Sequence, residues 1–242
     1  MRDWFITKGD HRMYLDPTML LLIPALLLAL FAQARVKNTY AKYSKIPTQA
    51  GIPASDVVMR ILRDNGNDQV TLARVRGSLT DNFDPRTQTL NLSEEVYSSS
   101  SIAAVGVAAH EAGHAMQKKE GYAPLQIRSL AVPAIGFGST LSIPIFILGL
   151  IMAWQPLVIA GIVLYSLTVL FSLITLPVEF NASNRAVVML RRSGFISNQE
   201  DEKGVRAVLN AAALTYVASA IGALLQLARL ILLSRGGSRR RS

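Results

Sequence analysis

The sequence has 242 residues, half of them hydrophobic, with no cysteine and a formal net charge of +9 at pH 7. Without cysteine the chain can form no disulfide framework, thiolate metal site or cysteine nucleophile. A mean hydropathy of +0.31 is unusual for a soluble protein. In so apolar a chain we interpret the basic balance as membrane flanks facing anionic lipid, with no nucleic-acid partner.

Four apolar stretches are each close to the roughly 20 residues that an α-helix needs to cross a bilayer. The predicted transmembrane spans are residues 18–34, 130–154, 157–178 and 207–233. A polar tail, residues 1–17, precedes the first span and lacks the pattern of a cleaved signal. A tight break at Gln155-Pro156 makes the second and third spans a transmembrane hairpin, and a basic tail, residues 234–242, follows the fourth.

The polar part of the chain, residues 35–126, lies between the first two spans. The helical spacing of its apolar residues predicts a helix over residues 54–65. Alternating residues predict strands over 70–79 and 87–92, which the turn-rich segment between them would join as a β-hairpin. A further helix is expected from about Ser99.

The segment His110-Glu111-Ala112-Gly113-His114 lies inside this last helix. Two histidines at this spacing share one helical face, where their ring nitrogens can take two positions of a tetrahedral zinc, and the glutamate between them can act as a general base. The alternative is an ordinary histidine pair on a helix surface. The chain holds only three histidines, and small apolar residues precede the motif, which favours a buried pair that needs partners or a metal.

A zinc site needs at least three protein ligands. His11 precedes the first span and would lie on the wrong side of the membrane, whereas Glu179 follows Pro177 at the end of the third span. With four spans, the polar part and residues 179–206, a third-ligand helix and connection, emerge on the same face. We therefore predict that Glu179 is the third ligand. The alternative is a helix-end glutamate at the lipid interface.

The predicted strand over residues 87–92 is the candidate for an exposed sheet edge. A metalloprotease commonly holds an extended substrate against an edge strand, because main-chain hydrogen bonds align a peptide without demanding a particular sequence. The alternative is a strand that only covers the core.

Several long blocks of the sequence resemble the membrane-embedded neutral zinc metallopeptidases of the YugP type, which are found in bacteria. The blocks are Lys-Tyr-Ser-Lys-Ile-Pro at 42–47, Leu-Thr-Asp-Asn-Phe-Asp-Pro-Arg-Thr at 79–87, Leu-Ser-Glu-Glu-Val-Tyr at 92–97, Ala-Ala-His-Glu-Ala-Gly-His-Ala-Met-Gln at 108–117, Gly-Tyr-Ala-Pro-Leu at 121–125, Leu-Pro-Val-Glu-Phe-Asn-Ala-Ser at 176–183 and Leu-Asn-Ala-Ala-Ala-Leu-Thr-Tyr-Val-Ala at 209–218. Together with the predicted elements, this resemblance implies a mainly α, multi-span helical membrane protein. A small α+β zincin-like domain, a β-hairpin plus the His-Glu-x-x-His helix, would be inserted between spans 1 and 2.

The chain is more distantly similar to the HtpX and CAAX prenyl protease group, in which the third ligand lies in a Glu-x-x-x-Asp motif after a membrane segment. Glu179 matches the glutamate, but Ser183 stands where the aspartate would be. In those relatives the aspartate orients a zinc-bound histidine. Ser183, Asn181 or a carboxylate of the polar part are the candidates for that role here.

These residues predict a membrane-embedded zinc endopeptidase. Zinc on His110, His114 and Glu179 would activate a water molecule. Glu111 would accept the proton of that water as general base and then pass it to the leaving amine.

Two further residues are candidates for stabilising the oxyanion, namely Arg185 and Tyr216. Either residue could instead serve in packing or as a lipid-facing anchor. Two other functions are weighed against the protease. One is a non-proteolytic membrane scaffold that retains a structural zinc site, which is disfavoured because such sites usually have four protein ligands. The other is a small transporter or channel, which the scarcity of intramembrane charges argues against.

The predicted location is a bacterial cell membrane, with the site facing the cytosol. By the positive-inside rule, clusters of lysine and arginine beside the first and third spans mark the cytosolic face. These residues are Arg35, Lys37, Lys42, Lys45, Arg185, Arg191, Arg192, Lys203 and Arg206. The basic residues of the two tails argue for the opposite orientation. The predicted partners are a membrane-associated protein or peptide substrate and the lipid bilayer, and the sequence leaves the oligomeric state open.

Overall fold

A computed structural model of the chain describes residues 17–239. His11, the predicted tail up to residue 16 and the last three residues lie outside the described residues. A 3₁₀ helix, Pro17–Leu22, leads into the first of seven α-helices in this range. The helices are α1 Ile23–Tyr43, α2 Ala54–Asp64, α3 Glu94–Tyr97, α4 Ile102–Lys119, α5 Ala123–Ile151, α6 Gln155–Arg192 and α7 Gln199–Arg239. The strands are β1 Thr71–Val75, β2 Asn82–Asp84 and β3 Thr89–Ser93.

Three helical stretches are long and apolar enough to cross a membrane, in agreement with three of the predicted spans. They are Pro17–Tyr43, Gln155–Arg192 and Gln199–Arg235. The segment predicted as a span over 130–154 lies in α5, where the apolar stretch found among the described residues is the shorter Gly138–Ile151. At about 1.5 Å per residue this stretch is shorter than the hydrocarbon core, so the second span, over residues 130–154, stays a prediction.

The long helices continue past the ends of the predicted spans. In particular, α6 runs without interruption through Pro177 to Arg192, so residues 179–192 are a direct extension of the third span. A proline inside a helix removes one main-chain hydrogen bond, which membrane helices tolerate when neighbouring helices support them. This continuity places Glu179 on the same uninterrupted helix as the predicted third span.

The three strands form one mixed sheet in the order β1-β3-β2. β1 pairs with β3 in parallel, and β2 pairs with β3 antiparallel, with Phe83 opposite Leu90. The predicted hairpin between residues 70–79 and 87–92 is therefore wrong. The segment that we interpreted as its turn contains β2, which forms the actual hairpin with β3.

The prediction that residues 87–92 form an edge strand is wrong for the same reason. β3 is the central strand of the sheet, and its side chains Leu90 and Leu92 are fully buried in the hydrophobic core. The edge next to the motif helix is β2, because the main-chain N–H of Phe83 donates to Glu111 on α4. The edge strand beside α4 is thus β2, which is shorter than the strand predicted over residues 87–92.

The hydrophobic core joins the polar part to the ends of the membrane helices. It packs α2, β3 and α4 against the last turns of α6 and the first turns of α7, for example through Ile61, Leu190 and Val205. Gly113 on α4 lies directly against the main chain of α6, since a Cβ added there would stand 2.5 Å from the carbonyl oxygen of Ala182. Glycine at this position therefore allows α4 and α6 to approach backbone to backbone, close to Glu179.

Candidate metal centre

Three side chains of metal-ligating type converge where α4 meets α6. Glu179 Oε2 lies 3.3 Å from His110 Nε2 and 3.5 Å from His114 Nε2. The three ligand atoms all lie within 4.8 Å of one another. The cluster consists of these three side chains within residues 17–239, the part of the chain that the structure describes. The structure thus brings together the three residues predicted to bind zinc.

Local features of α4 place the two histidines. The helix begins after Ser101, whose hydroxyl oxygen accepts a hydrogen bond from the N–H of Ala104 at 3.2 Å and so caps the first turn. His110 and His114 are one turn apart, and their ring centroids are 4.8 Å from each other. The close contact at Gly113 then brings α6 alongside this face, and Glu179 extends from it with only 2% of its surface exposed.

The second ring nitrogen of His114 is held by a buried glutamine. Gln117 donates its amide N–H groups to the carbonyl oxygen of Val178 at 2.8 Å and to Asn181 Oδ1 at 2.9 Å. Its Oε1 atom must therefore face His114 Nδ1, which is 3.0 Å away, as an acceptor. This arrangement places the proton of His114 on Nδ1 and leaves Nε2 free to bind a metal.

Ser183 contacts the second ring nitrogen of His110, as Gln117 does for His114. Its Oγ lies 3.1 Å from His110 Nδ1. Ser183, one of the three candidates named from the sequence for orienting a zinc-bound histidine, therefore contacts the imidazole ring. Ser183 reaches the cluster because residues four apart on α6 share a helical face with Glu179. Asn181 supports Gln117 instead.

An arginine that sequence reasoning missed lies against the carboxylate. Arg128, near the beginning of α5, donates from a terminal guanidinium nitrogen to Glu179 Oε1 at 2.9 Å. One carboxylate oxygen is thereby held by the arginine while the other faces the imidazoles. The available signal was a single cation at the border of an apolar helix, a position where charges usually have a partner.

This set of donors fits zinc. Two imidazole nitrogens and one carboxylate oxygen are among the preferred protein ligands of Zn²⁺. Each ligand is oriented by a further hydrogen bond, which joins His114 to Gln117, His110 to Ser183 and Glu179 to Arg128, as is usual for metal-binding histidines and carboxylates. Three protein ligands leave a coordination position open, which is typical of catalytic sites.

Glu111 lies beside the cluster, with 9% of its surface exposed. The main-chain N–H of Phe83 donates to Glu111 Oε2 at 2.9 Å. Burial raises the pKa of the Glu111 carboxyl above its ordinary value. A carboxylate with a raised pKa binds a proton more readily at neutral pH, which suits a group that accepts a proton and then returns it.

A cavity of about 290 Å³ opens in front of these groups, and we call it the metal-centre cavity. Its walls include Glu111, Arg128, Glu179 and Tyr216, together with Phe83 of the edge strand. The space in front of the cluster is therefore bordered both by the edge of the sheet and by the membrane helices.

Residues 18–235 match a family model described as "Putative neutral zinc metallopeptidase". The chain belongs to this family. It is also 44% identical over 217 residues to "Putative membrane protease YugP" of Bacillus subtilis (strain 168), a match that covers 90% of this chain and 96% of that protein. No solved structure matches the chain. The resemblance stated from the sequence is thus confirmed.

Membership of the neutral zinc metallopeptidase family implies zinc as the cofactor, and it makes the chain a protease homologue at the coarse level. The named membrane protease and the three apolar helices together indicate a membrane protein. The His/His/Glu cluster is the place in the described residues where this zinc metallopeptidase would hold its metal.

The two predicted oxyanion residues have different positions in this zinc metallopeptidase. Tyr216, on α7, lines the metal-centre cavity and faces the Glu179 carboxylate. Arg185 is absent from the cavity wall, because its guanidinium binds Glu120 Oε2 at 2.7 Å and Asn181 Oδ1 at 2.7 Å. Arg185 lies six residues beyond Glu179 on α6, so its side chain leaves the helix at an angle of about 240° from that of Glu179. The structure does not bring Arg185 to the reacting centre.

Proposed function

We propose that this zinc metallopeptidase is an endopeptidase that hydrolyses peptide bonds of membrane-associated proteins, with Glu111 as its general base. The observation that carries this proposal is the convergence of His110, His114 and Glu179 beside the buried Glu111, at the edge of a strand. The similarity over 90% of this chain to "Putative membrane protease YugP" of Bacillus subtilis supports it.

The protein groups divide the chemistry among them. When bound by the two histidines and Glu179, zinc supplies a Lewis acid that polarises a carbonyl and lowers the pKa of water. Glu111 accepts a proton from the attacking water and passes it to the leaving amine. Arg128 holds Glu179 in place through its 2.9 Å contact. Tyr216, in the cavity wall, would stabilise a developing oxyanion by a hydrogen bond from its hydroxyl group.

We assign substrate alignment to β2 instead of β3. β2 is at the edge of the sheet and lines the metal-centre cavity through Asn82 and Phe83. The N–H of Phe83 points away from β3, because it donates to Glu111. Pro85 has no N–H, so Phe83 is the outward main-chain donor of this short edge.

Phe83→Pro is expected to reduce peptide cleavage by about tenfold, since it deletes the outward N–H that holds the Glu111 carboxylate at this edge. Phe83→Ala is the matched control, because it removes the same ring but keeps the N–H. Cleavage rates of a quenched fluorescent peptide and zinc content are measured for both variants. If the alanine variant is as slow as the proline variant, the ring and not the main-chain donor is responsible.

Zinc removal tests the proposed function itself. Purified protein in detergent should cleave an unfolded soluble protein, lose this activity on dialysis against a chelator, and regain it with about one equivalent of zinc per chain. A scaffold with a structural zinc would instead lose fold stability on chelation and show no hydrolysis before it. Hydrolysis that persists after the metal is removed would contradict the proposal.

We further propose that the metal centre faces the cytosol of a bacterial cell membrane. The support is the lysine and arginine residues beside the membrane ends of α1 and α6. The cysteine-free chain allows a direct test. A cysteine in Gln69→Cys, in the polar part, is expected to react with an impermeant maleimide only after lysis, whereas one in Gln155→Cys, at the α5–α6 turn, should react in intact cells. The reverse pattern would reverse the orientation.

A further inference from the structure

The metal-centre cavity has neighbouring cavities on two sides, and we call the row of adjacent cavities the channel. On the side of β2 it shares wall residues such as Phe83 and Ser129 with a cavity of about 550 Å³, the polar cavity. On the side of α7 it shares His110, Glu111 and Tyr216 with a cavity of about 210 Å³, the junction cavity. The reacting groups therefore lie in the middle of the channel and not at its closed end.

The junction cavity adjoins a groove between two membrane helices. It shares Thr215 with a groove of about 410 Å³ between α1 and α7, which we call the membrane groove. Small residues at helical spacing form this groove on both sides. They are Ala25, Ala29 and Ala32 on α1 and Ala218, Ser219 and Gly222 on α7. Small residues allow the backbone of another membrane helix to approach closely.

The two ends of the channel differ in chemistry. The membrane groove lies within two helices that are apolar enough to cross a bilayer. The polar cavity at the other end is lined by Asp84, Arg86 and Lys118, which carry charge. A chain that occupies the whole channel must therefore be apolar on one side of the reacting groups and polar on the other.

We propose that the substrate is a protein anchored in the membrane by an apolar segment, which enters sideways into the membrane groove and is cut where it leaves the bilayer. This inference rests on the proposed function and specifies its substrate. The apolar segment occupies the space between α1 and α7, and the adjoining polar segment passes Tyr216 and Glu111 toward β2. The groove adjoins the metal-centre cavity through the junction cavity, and this order favours a polypeptide over a lipid chain, because the bond to be cut must connect an apolar segment with a polar one.

Cross-linking tests this inference without requiring cleavage. Because the chain has no cysteine, a single one can be placed in the groove (Ser219→Cys) or, as a matched control, at an exposed small residue of α7 outside it (Ala228→Cys). Both are made in the Glu111→Gln background and reconstituted in phosphatidylglycerol vesicles. The probe is a synthetic polypeptide with an apolar helix of about 20 residues, a single cysteine at its centre and a polar extension.

The groove variant is expected to form a disulfide with the probe at least about tenfold more efficiently than the control, which corresponds to about 1.4 kcal/mol of preference for the groove. Excess polar extension without its apolar helix should not compete. Equal yields at the two positions would overturn the inference, as would a groove that only lipid occupies, which gives a control-level yield at Ser219→Cys.

A second measurement separates this inference from the proposed function. Ser219→Phe should slow cleavage of the anchored probe by about tenfold and leave cleavage of an unfolded soluble protein unchanged, because it fills the groove and not the metal-centre cavity. Ala228→Phe should alter neither rate. If wild-type protein cleaves the soluble protein but Ser219→Phe does not slow the anchored probe, the substrate assignment fails and the peptidase assignment stands. If wild-type protein cleaves neither, the peptidase assignment fails, and the cross-link still reports on the groove.

Discussion

Glu111→Gln is expected to lower the rate of peptide hydrolysis by about 10²- to 10⁴-fold while the protein keeps its zinc. The amide is nearly the same size as the carboxylate, and it can still accept the hydrogen bond from the N–H of Phe83. It cannot accept a proton from water, so the chemical step loses its base. Zinc content by elemental analysis and cleavage of an unfolded protein are measured on the same preparation.

Glu94→Gln provides the control for this substitution. Glu94 is an exposed carboxylate on α3, and it does not line the metal-centre cavity. The same chemical change there should leave both activity and zinc unchanged. Full activity in Glu111→Gln would exclude Glu111 as the base, and loss of zinc in that variant would make the result a measure of metal binding and not of proton transfer.

The second large effect is expected at the carboxylate of the metal centre. Glu179→Gln should weaken zinc binding by at least about 10²-fold, because the site loses both a charged ligand and the partner of Arg128. Competition with a chromophoric chelator measures the affinity directly. Equal zinc affinity in the variant and the wild type would remove Glu179 from the metal site.

Arg128→Met separates the ligand from its support. This variant keeps all three ligands but releases Glu179 Oε1, so we expect a smaller loss of zinc affinity, about 10- to 100-fold, as for other residues that orient metal ligands. A loss as large as that of Glu179→Gln would mean that the arginine decides whether the carboxylate reaches the metal at all.

The parts of the site that sequence reasoning predicted depend on short-range regularities. His110 and His114 share a face because of the helical period alone, and Glu179 followed from counting the spans between it and the motif. The helix over residues 54–65 was found for the same reason, and α2 occupies Ala54–Asp64. In each case, one helix or one count of membrane crossings was sufficient.

The parts that it missed depend on contacts between distant segments. The pairing of β1 with β3 is parallel and non-local, which alternating residues cannot distinguish from a hairpin. Gln117 orients His114 only because Val178 and Asn181 of α6 fix its amide. Arg185 was expected near the reacting centre from its distance along the chain, but the rotation of α6 directs it to Glu120.

The division of the metal ligands between α4 and α6 has a consequence for biosynthesis. A chain emerging from the ribosome carries both imidazoles of the centre before the helical hairpin that precedes Glu179 has been made. The carboxylate arrives only when α6 has inserted and packed against Gly113. Assembly of the metal centre is thereby coupled to the insertion and packing of α6, so nascent and incompletely inserted copies lack a complete set of ligands.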